Sequence, residues 1–269
     1  MDIARSYHFD RFGDVDRAAE LRRLQRQATV LLDAEIAELR SHGFGPGVRL
    51  LEIGCGPGFL TGPLSDVVGP AGAVGLDMSE ELLAAARAIV APAHPNVVFV
   101  QGNAYATGLA DNAFDFVYSR LVYQHLSRPL DALQEAARVV RPRGHVCLMD
   151  IDDGFLALHP CPPAFTRLTQ RALEAQAGNG GDRLVARKLP GLMRDAGLVD
   201  IRMRGISVSS LEIGIGAFLD ITTRFKAIQV GDDDAARLSA ELGALADLPP
   251  AERPLGVVVA FFVTGRRPE

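Results

Sequence analysis

The chain has 269 residues, 48% of them hydrophobic and 23% charged, which suits one large α/β domain or one domain with an elaborated cap. Lys plus Arg number 28 against 33 Asp plus Glu, a formal charge of −5, so there is no basic footprint for a phosphate backbone and nucleic acid is excluded as the main partner. Three cysteines, Cys55, Cys147 and Cys161, make an odd set without a CxxC pair, which argues against a disulfide framework or a zinc knuckle.

The first segment, MDIARSYHFDRFGDVDR, is charged and lacks an apolar run, so no secretory signal is expected. The longest apolar stretch, Val257 to Val263, is too short to cross a bilayer, and a cytoplasmic protein with no membrane partner is expected. Residues 17–40 read as one amphipathic helix, with Leu21, Leu24, Ala28, Leu31, Leu32 and Leu39 near one stripe. Asp14 or Asp16 is a candidate cap, and the glycines around Pro46 end the helix. Val48 to Ile53 then reads as a buried strand, followed by a helix over Phe59 to Val68 with Pro63 in its first turn. A second strand over Gly72 to Leu76 leads into a helix over Ser79 to Val90, capped by Ser79. Val97 to Val100, Phe114 to Tyr118 and His145 to Asp150 are further strands, with a helix over Pro129 to Val140 before the last of them. Such alternation implies crossover connections and a parallel sheet covered on both faces.

Beyond Asp150 the pattern loosens. A Pro-rich turn, His159 to Pro163, precedes helices over Phe165 to Gln176 and 183–196. Val199 to Val208 and Gly256 to Thr264 read as late strands, and 211–250 between them is mostly helical, with Asp232 to Asp234 capping Ala235 to Ala246.

Leu50-Leu51-Glu52-Ile53-Gly54-Cys55-Gly56-Pro57-Gly58 carries the chemistry. Three alternating glycines between a strand and a helix permit positive φ and close approach of a ligand to the backbone. Phe59 stands where a dinucleotide fingerprint wants its third glycine. Glu52 before the loop suits a cationic or zwitterionic ligand better than a pyrophosphate, and Asp77, 19 residues after Gly58, is placed for a ribose diol.

From Val48 to about Asp152 the chain resembles the class I S-adenosylmethionine-dependent methyltransferases, in the small-molecule branch related to the ubiquinone and menaquinone methyltransferases. The resemblance implies a Rossmann-like, doubly wound, seven-stranded α/β sheet in the order 3-2-1-4-5-7-6, with strand 7 antiparallel. Residues 1–45 would form an N-terminal helical lid, and 46–269 the methyltransferase domain with a helical insert at about 211–250. It implies S-adenosylmethionine as cofactor, S-adenosylhomocysteine as its product and a small-molecule acceptor of the kind met in secondary metabolism. Glu52, Gly54, Cys55, Gly56 and Gly58 would then line the methionine half, Asp77 would take the ribose hydroxyls and Met78 would pack on adenine. Asn103 and Ala104 stand where the family has an acid that accepts from the adenine amino group, a bond the amide oxygen of Asn103 can still accept. Ser119 and Arg120 would face the methionine end. Arg23 and Gln27, one helical turn apart, would fold over the cofactor, with Arg23 pairing to its carboxylate.

Candidate catalytic groups stand near strand ends, where open α/β sheets bind ligands. His125 is the first, as a base titrating near neutrality, and Asp150 and Asp152 follow. Tyr7, His8 and His159 are weaker candidates for the pocket. The six histidines show no ligand spacing, so no metal is expected, although Asp150, Asp152 and Asp153 form an acidic trio. The lack of a GxSxG elbow removes a hydrolase. Three other readings stay open: a cofactor-assisted reaction without methyl transfer, such as a cyclisation, a non-catalytic binding module, and a nicotinamide oxidoreductase opposed by Phe59 and Glu52. A homodimer is the default assembly. Phenylalanines outside the core motif, Phe9, Phe12, Phe44, Phe155, Phe165, Phe218 and Phe225, predict a phenylalanine-rich pocket.

Overall fold

The structure, a computed structural model, describes residues 14–269, with side chains from Arg17 onward. Tyr7, His8, Phe9 and Phe12, and the side chains of Asp14 and Asp16, lie outside the described residues.

Two helices, α1 (Asp14–Val30) and α2 (Leu32–Arg40), precede the sheet. The single helix expected over 17–40 is broken at Leu31, where φ is −117° and ψ 6°. Thr29 explains the break: its hydroxyl donates to the Arg26 carbonyl at 2.9 Å, drawing that acceptor out of the helical ladder beside β-branched Val30.

The sheet then alternates with helices as expected: β1 (Leu50–Ile53), α3 (Thr61–Val68), β2 (Ala73–Asp77), α4 (Glu80–Ile89), β3 (Val97–Gln101), β4 (Phe114–Arg120), α5 (Pro129–Val139) and β5 (Val140–Ile151). All four residues of β1 are buried, as a central parallel strand covered on both faces must be. Pro63 falls in the first turn of α3, and the Ser79 hydroxyl accepts from the Leu82 N–H to cap α4.

After β5 come β6 (Ala157–His159), α6 (Pro163–Gly178), α7 (Leu189–Asp195), β7 (Val199–Ser209), the short α8 (Ser210–Ile213), α9 (Ile215–Leu219), α10 (Phe225–Val230), α11 (Asp233–Gly243) and β8 (Leu255–Arg266). Strands β1 to β5 run parallel in the order β3-β2-β1-β4-β5, and β8 lies antiparallel to β5 on one side and to β7 on the other. That is the expected order with one addition. The described residues form eight strands because β6 continues the β5 edge, pairing with Leu255 to Val257 of β8 where β5 stops at Ala260. The helix expected over 183–196 begins as a tight turn at Val185–Lys188 and becomes α-helical only at Leu189, ahead of Pro190.

Three apolar cores result. One lies under α2, α3 and α4 and includes Leu39, Leu64 and Phe116; a second lies under α5 and α7 and includes Leu133, Val139 and Met193. The third, with Phe165, Phe218 and Leu238, joins α6, α9 and α11 into a cap on the β6–β8 end of the sheet. Asp232 caps α11 by accepting from Ala235 N–H at 2.9 Å, as its place in the sequence indicates. Residues Asp220–Arg224 between α9 and α10 form a π-helical bulge. The hydroxyls of Thr222 and Thr223 donate back to the Phe218 and Leu219 carbonyls at 2.7 and 2.6 Å, occupying acceptors the next turn would use. Among the described residues no helix is long and apolar enough to cross a membrane.

Candidate active site

A cleft of about 600 Å³ opens at the carboxyl ends of β1, β2 and β4, beneath α1 and the Asp220–Val230 segment. Its floor is the glycine loop. Gly54, Gly56 and Gly58 have φ of +76°, +53° and +73°, a region that side chains with a Cβ avoid. At Gly54 a Cβ would fall 2.3 Å from Val122 Cγ2, and at Gly58 2.6 Å from the Phe99 ring, whereas at Gly56 it would meet nothing within 4 Å. Packing therefore demands two of the glycines, while the middle one is favoured by its positive φ and faces open space.

Two carboxylates flank this loop. Asp77 ends β2 and accepts from the Gly56 N–H at 2.8 Å and the Ser79 N–H at 2.9 Å. Burial pushes its carboxyl above the usual range, against the pull of those N–H groups. Glu52 is 2% exposed and accepts from the Thr61 hydroxyl at 2.6 Å. Burial pushes it up to about 8, so in the empty cleft it holds its proton, and a cationic group bound beside it would favour the charged form. Cys55 lines the same floor, with its thiol pushed well up by burial, which makes it inert.

Gly54, Cys55, Gly56, Asp77, Met78 and Glu52 thus come together at the cleft, as do Asn103, Ala104, Arg120, Arg23, Gln27 and His125. Gly58 lies behind the loop against Phe99. The Asn103 side-chain oxygen already accepts from the Tyr105 N–H at 2.9 Å, which leaves it one lone pair for a ligand.

Several expected roles need correction. Ser119 is not part of the cleft surface; its hydroxyl donates to the Ile53 carbonyl at 2.8 Å and ties β4 to β1. Arg120 reaches the cleft but is engaged with the α2 carboxylate Glu35, Nε to Oε1 at 2.8 Å, and with the Gln27 carbonyl of α1. Arg23 makes a bidentate pair with Glu20 at 2.7 and 2.6 Å and lies 5.6 Å from the centre of the Phe225 ring.

The catalytic assignments change most. Asp150 lies behind the cleft wall, 1% exposed, accepting from the Gln124 backbone and side-chain N–H groups at 3.1 Å each. Burial pushes it up to about 7, and it fixes the turn after β4. Asp152 is fully buried in a bidentate pair with Arg187 and accepts from the Gly154 N–H at 2.8 Å. Asp150 thus braces the turn after β4 and Asp152 the loop after β5, which is why neither is available to an acceptor. His159 also stands away from the cleft, on β6.

His125 does line the cleft. Its Nδ1 sits 3.2 Å from Gln176 Nε2, whose amide oxygen accepts from Gln229 Nε2, whose own oxygen accepts from Arg183 at 3.0 Å. This relay makes Nδ1 an acceptor and leaves the ring proton on Nε2. Burial, with Arg183 and Arg23 nearby, holds the imidazole down to about 3, so it is neutral at pH 7 and a poor base. Its ring packs edge-on to Phe225 at 5.8 Å.

Sequence reasoning missed Arg183 and Lys226. Both line the cleft, 4% and 1% exposed, and both bind Asp153: Arg183 Nε at 2.7 Å and Lys226 Nζ at 3.1 Å. A signal for Lys226 was present: Leu219, Thr223, Lys226 and Ala227 recur at helical spacing on one buried face, and a lone charge in such a stripe needs a partner. The pocket is also less aromatic than expected. Phe44, Phe165 and Phe218 are core, Phe155 is half exposed, and of the expected set in the described residues only Phe225 lines the cleft. No group of three or more metal-ligating side chains forms among the described residues.

The chain is similar to known methyltransferases in sequence and fold. Residues 51–148 match the methyltransferase domain family. A 37.1 kDa protein of transposon Tn4556 from Streptomyces fradiae is 31% identical over 190 residues, covering 70% of this chain and 52% of that protein. A demethylmenaquinone methyltransferase of Shouchella clausii is 36% identical over 124 residues, covering 45% and 50%. The chain thus spans about half the length of these curated relatives. Among solved structures, the phosphoethanolamine N-methyltransferase 2 of Haemonchus contortus, in complex with phosphomonomethylethanolamine and S-adenosylhomocysteine, superposes with a TM-score of 0.56 at 18% identity, covering 88% of this chain and 53% of that one.

Proposed function

We propose that the chain, which matches the methyltransferase domain family over residues 51–148, is a class I S-adenosylmethionine-dependent methyltransferase whose cleft binds S-adenosylmethionine along the glycine loop and directs its methyl group to a small organic acceptor. The observation that carries this reading is the open space at Gly56 between two desolvated carboxylates, Glu52 and Asp77. Glu52 suits the ammonium of the amino-acid half and Asp77 a pair of ribose hydroxyls, so the residues present fit the group.

When bound, S-adenosylmethionine supplies a methyl group on a good leaving sulfur, and in-line displacement needs mainly alignment. The chain's contribution is then binding and exclusion of water. Glu52, held by Thr61, accepts from a cationic group, and Asp77, set by two backbone N–H donors, accepts from hydroxyls. His125 lines the same cleft as a neutral ring whose Nδ1 is held by Gln176. Apolar walls from Met149, Ile151 and Leu156 keep the reacting atoms dry. Relatives named demethylmenaquinone methyltransferases support a small organic acceptor, and a cytoplasmic enzyme is consistent with this.

Calorimetric titration with S-adenosylhomocysteine and, separately, with a nicotinamide dinucleotide tests the reading. One equivalent of S-adenosylhomocysteine should bind and the dinucleotide should not. Binding of the dinucleotide alone would revive the oxidoreductase reading and end this one.

A further inference from the structure

Among the described residues, the end of the cleft around Lys226 and Arg183 carries more positive charge than its carboxylates balance. Lys226 of α10 and Arg183, in the loop after α6, share a single carboxylate, Asp153. The other charged groups around them are settled. Arg23 of α1 pairs with Glu20, and Asp152 pairs with Arg187. His125 is neutral, and Asp150, behind the wall, accepts from Gln124 and is pushed up to about 7 by burial, so it offers Arg183 only part of a negative charge. The Lys226 ammonium, 1% exposed, has three N–H donors and one hydrogen bond, to Asp153. Arg183 uses Nε on Asp153 and Nη1 on Gln229, and its Nη2 donates to nothing among the described residues.

A buried cation without its own counter-ion is costly. The chain contains two lysines, Lys188 and Lys226. Lys188 is an exposed partner of Asp182, so the one buried lysine lines a cleft whose walls also include the aliphatic side chains of Ile221, Val208, Val258 and Ala260. A neutral side chain such as glutamine would have filled a purely structural role without the excess charge.

We propose that the acceptor is an apolar organic acid whose single carboxylate docks between Lys226 and Arg183. Two donors from different elements match the two oxygens of a carboxylate. One negative charge neutralises the cluster, whereas a phosphate dianion would leave an excess charge of the opposite sign in an apolar pocket. The acceptor's body then lies along the aliphatic wall toward His125 and the glycine loop, which places Lys226 and Arg183 as specificity residues for the methyl acceptor. This assignment rests on the methyltransferase reading above.

The test uses the full-length protein saturated with S-adenosylhomocysteine and three matched probe pairs, benzoate and benzamide, 2-naphthoate and 2-naphthamide, decanoate and decanamide. At least one carboxylate should bind about tenfold or more tightly than its amide, the ratio a charge-assisted hydrogen bond supplies. Lys226→Met should abolish that ratio while leaving S-adenosylhomocysteine affinity unchanged, and Arg183→Met should reduce it. With 15N-lysine labelling only two side-chain signals exist, and the carboxylate should move that of Lys226 and not that of Lys188. Carboxylates that bind no better than their amides, or do not bind at all, overturn the proposal even if both variants fail to fold. Tighter binding of inorganic phosphate than of any carboxylate also overturns it. Failure of S-adenosylhomocysteine to bind would instead strike the methyltransferase reading itself, so the two failures are distinguishable.

Discussion

Glu35 and Asp153 are both buried carboxylates that fasten a helix to the carboxyl edge of the sheet, and they are balanced differently. Glu35 on α2 meets one guanidinium, Arg120, and one phenol, Tyr118, at 2.8 and 2.9 Å. Asp153 meets two full cations. The first cluster is neutral and self-sufficient, so it clamps the cofactor end of the cleft and leaves nothing over. The second keeps a positive charge facing the acceptor end. A buried ion cluster therefore reads as structural or as receptive according to its charge balance, not its burial.

The largest expected effect breaks or sharpens this contrast directly. Arg120→Met strands Glu35 in the core and should cost about 3–5 kcal/mol, the usual penalty for removing one partner of a buried pair. Lys226→Met leaves Asp153 with Arg183 and should cost under about 1 kcal/mol, since it also removes an uncompensated charge. Equal losses in denaturant unfolding would erase the distinction between the two clusters.

The glycine loop offers the next test. Gly54→Ala adds a Cβ against Val122 at positive φ and should destabilise the fold by about 2 kcal/mol. Gly56→Ala meets open space, so its stability loss should be about 1 kcal/mol, while S-adenosylhomocysteine affinity should fall about tenfold as the methyl group enters the ligand's place. A Gly56→Ala protein that binds normally would remove Gly56 from the ligand surface.

Smaller effects follow from protonation. Glu52 holds its proton up to about 8 in the folded state against an ordinary value of 4.5. Between those values the folded protein binds a proton that the unfolded chain does not, so its contribution to stability is fully present below the lower value and lost as pH rises toward the upper one. Asp150, pushed up to about 7 from 3.8, acts in the same direction. Wild-type protein should lose stability from pH 5 to 8, and Glu52→Gln should lose less over the same range. Parallel profiles for the two would refute the burial effect at Glu52. The smallest signal is at His125: held down to about 3, its ring resonances should stay flat from pH 5 to 8, and an inflection near 6.5 would restore it as a candidate base.

The strands were legible because each central strand is a short apolar run bounded by glycines or caps, and Leu50 to Ile53 followed by Gly54 leaves little else to form, whereas their order came from the family resemblance. The cofactor side was legible for a related reason: a GxGxG turn works through the backbone, so its glycines announce it. The acceptor side works through long-range pairing. Nothing near Asp150 or Asp152 in sequence says that Gln124 and Arg187, 26 and 35 positions away, consume them. His125 lost its role as a base to burial and to a relay of amides on α6 and α10, neither visible in Tyr123-Gln124-His125-Leu126. The break at Leu31 and the π-bulge before Phe225 both turn on threonine hydroxyls taking helix carbonyls, a local competition that helical periodicity does not register. The short β6 was hidden in a Pro-rich turn and exists only because β8 extends past the end of β5.

The most direct test of the account is the dissociation constant of S-adenosylhomocysteine for wild-type protein and for Asp77→Ala and Asp77→Asn, with thermal melts to establish that all three are folded. The account predicts one tight site in the wild type and a loss of about tenfold to a hundredfold in both variants, the worth of hydrogen bonds to a charged group. No binding by the wild type, or unchanged binding by folded variants, would contradict it.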